Sequence, residues 1–115
     1  MNIEANVKDL NQMVLEGKMM DAFEKYYADD VVMQEIGMEP TVGKDANRER
    51  EVKWLEGITD FRGAEVKNVA LGDDLSMVEW FMDYSHKEYG DVKMDQVSVQ
   101  TWKDGKIVKE IFYHG

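Results

Sequence analysis

Ile3, Val7, Leu10 and Val14 fall on one helical face, with Asn, Lys, Asp and Gln between them, so the chain opens on an amphipathic helix. Gly17 punctuates it, and Met20, Phe23 and Tyr27 set a second, shorter helical stripe before Asp29 and Asp30. Val31 to Met33 predicts a short strand with Glu35 at its end; Gly37 and Pro40 turn the chain, and a third helix is expected after Gly43. In that helix Ala46, Trp54, Leu55 and Ile58 are diluted by Arg48-Glu49-Arg50-Glu51, which reads as a solvated face with alternating ion pairs. After Gly57 the period changes. Strand-like runs at 61–71, 75–88, 92–103 and 107–113 are separated by the hairpin signals Gly72-Asp73-Asp74, Tyr89-Gly90-Asp91 and Asp104-Gly105. Helices first and an antiparallel meander last is an α+β plan. Strands this long twist and coil, so a concave face can wrap around the helices and leave a pocket.

Composition narrows the classes. A chain of 115 residues, 43% of them hydrophobic, builds one core, and the whole of 1–115 reads as a single domain. The net charge of −10, from 24 acidic residues against 14 lysines and arginines, argues against a nucleic-acid binder, which needs clustered lysines and arginines, so no nucleic-acid partner is expected. There is no cysteine, hence no disulfide framework and no thiolate nucleophile. The N-terminus lacks a basic start followed by an apolar run, and no stretch is long enough to span a membrane; a cytoplasmic protein without a membrane partner is the expectation. No metal site is expected, because His86 and His114 are far apart in sequence and no paired-histidine spacing exists, and no cofactor motif is present.

Two motifs carry a resemblance. Gly37-Met38-Glu39-Pro40-Thr41-Val42-Gly43, with Ala28-Asp29-Asp30 upstream, is similar to the Gly-x-Glu-Pro-x-x-Gly loop of bacterial ketosteroid isomerases. Trp102-Lys103-Asp104-Gly105-Lys106-Ile107-Val108 is similar to a hairpin common among SnoaL-like proteins. In order and spacing of elements nearly the whole chain resembles the nuclear transport factor 2-like superfamily, in its SnoaL-like and ketosteroid isomerase branches. The resemblance implies a cone, a curved antiparallel sheet wrapped around three N-terminal helices and enclosing a pocket. With one residue deleted between Glu35 and Gly37, it also sets Glu35 on the isomerases' catalytic aspartate.

The departures matter as much. The alignment puts Leu10 and Ser98 where the isomerases have their oxyanion-stabilising tyrosine and protonated aspartic acid, and Glu51 on a further pocket tyrosine. Each lost oxyanion donor removes roughly 3–4 kcal/mol of transition-state stabilisation, which argues against steroid isomerisation of the usual type. The hairpin alignment turns Glu110, Phe112 and His114 inward on the last strand, and Gln96, Ser98, Gln100 and Trp102 inward on the preceding one. Plain alternation would instead bury Val97 and Val99. We follow the resemblance, because Trp102 shares the polar set's parity and outward valines suit sheets packed back to back.

The candidate catalytic residues are therefore Glu35, Glu110 and His114, the last two as a proton-shuttling or ligand-orienting pair on one strand face. Gln96, Ser98, Gln100, Trp102, Phe112, Glu51, Trp54 and Tyr27 are candidate ligand contacts. Other readings stay open at this point: Glu35 capping the third helix or pairing with Arg48 or Arg50, and His114 solvated beside the C-terminus. Two functions are compatible with this set. One is a module that binds a small, largely apolar ligand without chemistry; the other is a small isomerase, cyclase or hydrolase using Glu35 as general base. The fold alone does not choose. Outward Val97, Val99, Ile111 and Phe81 further imply a homodimer through the convex sheet face.

Overall fold

Residues 3–114 are described by the structure, a computed structural model. Helices α1 (Glu4–Leu15) and α2 (Met19–Tyr26) precede strand β1 (Tyr27–Glu35), the two-residue β2 (Thr41–Val42) and helix α3 (Lys44–Glu56). Strands β3 (Ile58–Leu71), β4 (Leu75–His86), β5 (Gly90–Lys103) and β6 (Lys106–Tyr113) follow. The six strands form one curved, unclosed sheet in the order β2-β1-β6-β5-β4-β3.

The helical stripes bury as their spacing requires. Ile3, Val7 and Leu10 from α1 join Ala22, Phe23 and Tyr26 from α2, Val31 and Met33 from β1, and Val78, Trp80, Trp102 and Ile107 from the meander in one core. Each fully buried aliphatic side chain contributes about 1.5–3 kcal/mol. Helix α1 packs on α2 and β3, α2 on α3 and β1, and α3 on β1, β2 and β3, so the helices lie across the sheet. At the β5–β6 turn Asp104 has φ 53° and Gly105 φ 79°. Two consecutive positive φ values match the right-handed twist of a tight hairpin, which is why Asp-Gly stands there.

Four features differ from the expectation. Strand β1 runs from Tyr27, not Val31, and Tyr27 therefore opens a strand instead of closing the second helix. The short β2 pairs Val42 with Val32, a contact that two residues cannot signal in sequence. Ile58 belongs to β3, and α3 buries only Asn47, so its apolar stripe is weaker than its helical spacing suggested. Finally, β1 and β6 run parallel, with Met33 beside Glu110 and Glu35 beside Phe112. Hairpins force antiparallel neighbours, and the other strand pairs obey. The long connection from β1 through α3 and the meander imposes no such constraint.

Candidate functional site

Which face of the sheet looks at the helices decides the chemistry available. On β5, Gln96, Ser98, Gln100 and Trp102 are buried while Val97 and Val99 are only partly covered. On β6, Glu110 is 2% exposed, Phe112 packs partly buried on the core, and Ile111 lies on the opposite face. The polar set therefore faces inward, against what plain apolar alternation would give. Register completes the arrangement: Gln100 stands opposite Glu110, and Ser98 opposite Phe112.

Glu110 is the centre of a directional hydrogen-bond chain. Trp102 Nε1–H donates to Ser76 Oγ at 2.9 Å, and the Ser76 hydroxyl donates to Gln100 Oε1 at 2.6 Å. That leaves the Gln100 amide free to donate to Glu110 Oε2 at 2.8 Å, while Tyr27 OH donates to Oε1 at 2.5 Å. A buried carboxyl with its oxygens so served avoids much of the desolvation penalty. Burial still dominates and pushes the Glu110 carboxyl up to about 7, against the lowering from Tyr27 and Gln100 and with a small raising from Glu35. Burial, followed by the neighbouring Glu110 charge, raises the Tyr27 phenol well above its ordinary range, so it remains a donor. Tyr27 is held in place by stacking on Phe23 with ring centroids 4.8 Å apart.

Glu51 reaches the same region from α3. Asn47, fully buried, bonds from Nδ2 to the carbonyls of Val31, Thr41 and Gly43 and so pins the start of α3 to β1 and β2. Glu51 lies one turn further along the same helix face. Desolvation, then Glu110, then Glu35 raise its carboxyl to about 7, with Arg50 acting in the opposite sense. Among the described residues Glu51 has neither a hydrogen bond nor an ion pair.

Glu35 stands at the end of β1, half-buried, with its Oε2 3.0 Å from His114 Nε2. The expected His114–Glu110 pair is not formed. Four residues along a strand separate two side chains by about 13 Å, and the parallel β1–β6 pairing brings Glu35 beside the end of β6 instead. Arg48 is engaged with Glu24 and Asp45, and Arg50 with Thr41, so neither arginine is Glu35's partner. Of the charged run on α3, Arg48 and the exposed Glu49 fit a solvated, ion-paired face; Glu51 does not. Trp54 meets Tyr84 edge-on at 5.4 Å and stacks on His86. Trp102 is packed against Tyr26 in the core and is committed to Ser76.

Sequence reasoning missed Ser76, which bridges Trp102 and Gln100, and it treated His86 as remote. His86 is buried beneath α3: Glu88 N–H donates to its Nδ1, so its Nε2–H faces the Trp54 carbonyl at 3.0 Å. The available signal for Ser76 was parity with Val78 and Trp80 on one strand face.

A family model for the SnoaL-like domain matches residues 2–114. The chain belongs to the SnoaL-like domain family. No curated protein matches it. A solved structure described as a candidate SnoaL-like polyketide cyclase, from Mesorhizobium loti, is 33% identical, with a TM-score of 0.88 over 98% of this chain and 99% of that one. A second candidate SnoaL-like polyketide cyclase, from Jannaschia sp. CCS1, is 12% identical with a TM-score of 0.82, over 99% of this chain and 88% of that one. A candidate isomerase from Bacillus subtilis is 19% identical with a TM-score of 0.81, over 100% and 90% of the two chains. The last two share the fold alone. Within this SnoaL-like domain no helix among the described residues is long and apolar enough to cross a membrane.

Proposed function

We propose that this SnoaL-like protein binds a small, largely apolar molecule on the concave face of its sheet, with Glu35, Glu51 and Glu110 as the polar contacts. One observation carries the reading. Gln96 and Ser98 are 8% and 3% exposed on that face, yet among the described residues neither side chain has a hydrogen-bond partner. The described side-chain polar atoms sealed from water without a partner are Asn11 Oδ1 and Asn47 Oδ1, so Gln96 and Ser98 still reach the solvent of that face and are free to bond a molecule there. Trp54, Phe112 and Met82 supply apolar surface nearby, and methionine adapts to irregular ligands.

A second reading, catalysis with Glu35 as general base in an isomerisation, cyclisation or hydrolysis, is favoured by the Glu35–His114 contact, which gives the carboxylate a route for its proton. One experiment separates the two. Native mass spectrometry of the purified protein is expected to show a retained small molecule. With that molecule in hand, Glu35→Gln lowers turnover about 100-fold while binding survives if Glu35 is the base. If the protein only binds, no turnover exists to lose. A protein that never carries a ligand, under the gentlest desolvation, contradicts both.

The convex face is proposed to seat a second copy. Register lines up Met77, Val99 and Ile111 in one row across β4, β5 and β6, with Val97 and Tyr113 in the next, and Met77 is 41% exposed. Such a contiguous apolar patch is unfavourable in water. Sedimentation is expected to give about twice the 13.4 kDa of the chain, and Val99→Lys to return it to the monomer mass. A wild-type monomer at micromolar concentration would count against this interface.

A further inference from the structure

We propose that the ligand of the concave face is an organic cation: an amine with an apolar body whose positively charged nitrogen sits against Glu51 and Glu110. The proposal rests on the reading of that face as a ligand site and specifies its chemistry.

Three observations support it. First, the face collects carboxyls with little cationic answer: Arg50 acts on Glu51 but is itself bonded to Thr41 Oγ1, and among the described residues no cation acts on Glu110. Among the described residues no lysine or arginine is buried, while Glu110 is 2% exposed and Glu51 lies on the inward face of α3. The two histidines near the cone are already committed, His86 between Trp54 and Glu88 and His114 to Glu35. Among the described residues Glu51 makes no hydrogen bond and no ion pair, and Arg50 alone lowers its proton affinity. Each carboxyl raises the proton affinity of the next, Glu110 acting on Glu51 and Glu35 on both, and a bound positive charge would remove that repulsion.

Second, Gln96 and Ser98 are nine-tenths or more buried, have no side-chain hydrogen-bond partner among the described residues, and lie on the same face as Gln100 and Glu110. Their oxygens accept hydrogen bonds, as an ammonium or a hydroxyl-bearing amine requires. Third, the surroundings are aromatic. Trp54 is half-buried beside Tyr84, and Phe112 is partly buried beside Ser98, which is the environment that cation–π attraction uses.

A metal ion fits less well. Among the described residues no three histidine or acidic side chains are grouped closely enough to hold one. Glu110 already accepts a bond on each oxygen, so it offers a diffuse negative charge more readily than a tight ligand set. The net charge of −10 also favours the arrival of cations over anions.

The test uses three probes of one shape: choline, its neutral isostere 3,3-dimethylbutan-1-ol, and the anion 3,3-dimethylbutanoate, titrated at pH 8 by nuclear magnetic resonance. Choline is expected to bind at least about tenfold tighter than the alcohol, with the butanoate weakest. Glu51→Gln is expected to remove about tenfold of choline affinity and leave the alcohol unchanged. Glu49→Gln, at an exposed position of the same helix, is expected to change neither. Equal or tighter binding of the alcohol overturns the cation proposal and leaves the ligand site standing. Choline affinity that ignores Glu51→Gln overturns it too, since the cation would then sit on the acidic surface. If none of the three binds, the proposal and the ligand reading fall together.

Discussion

Raising the pH from 5 to 8 is expected to destabilise this protein, opposite to the usual acid lability of an acidic domain. Glu110 titrates at about 7 in the folded state against an ordinary value of 4.5, and Glu51 behaves alike. A folded state with raised carboxyl pKa values holds protons that the unfolded chain has released. The stabilisation is fully present below about 4.5 and is lost as pH rises through about 7. A shift of that size at fully buried Glu110 corresponds to about 3 kcal/mol. Glu51 is partly exposed, so solvent screens it and it adds less.

Groups acting in the other direction do not interfere in this window. Asp9, held down by Lys25 and Tyr26, and Glu24, held down by Arg48, stabilise the fold above their ordinary values and lose that contribution only at more acidic pH. Thermal melts at pH 5 and pH 8 should differ by about 10 °C in Tm, with the higher value at pH 5. Glu51→Gln should flatten part of the slope. A Tm that rises from pH 5 to 8 would contradict the burial of these carboxyls.

Gly57→Ala should cost about 2–3 kcal/mol, although alanine is ordinarily the better helix former. Gly57 closes α3 with φ −79° and ψ −13°, a conformation any residue adopts, so backbone strain is not the cause. The obstacle is the His86 ring, which a Cβ at Gly57 would overlap. His86 cannot step aside easily. Trp54 and Tyr89 flank its ring, the Trp54 carbonyl and the Glu88 amide hold its nitrogens, and Lys87 N–H bonds to the Gly57 carbonyl. A double-mutant cycle checks the mechanism. In a His86→Ala background the ring is gone, and Gly57→Ala should lose at least about 1 kcal/mol of its cost. An unchanged cost in that background would place the clash elsewhere.

The helices, the hairpins and the long strands were readable from Ile3, Val7 and Leu10 at helical spacing and from turns such as Asp104-Gly105, because local sequence controls local conformation. The acid at the end of β1 and the inward parity of Gln96, Ser98 and Gln100 were read from the resemblance of 37–43 and 102–108 to known motifs. Plain alternation would have buried Val97 and Val99 instead. It fails here on β5, whose inward face carries Gln96, Ser98 and Gln100 beside Trp102 while Val97 and Val99 lie on its outer face.

By itself the sequence determined the α+β plan, the acidic surface and the identity of every group available to the site. Tertiary structure decided which of them meet. The parallel pairing of β1 with β6 sends His114 to Glu35 and leaves Glu110 to Tyr27, which is 83 positions away in the chain. Asn47 fixes the rotation of α3 and thereby turns Glu51 inward from a run that otherwise looks solvated. Burial then changes what a carboxyl does, since proton affinity depends on the dielectric and the charges around it, and a linear pattern carries neither.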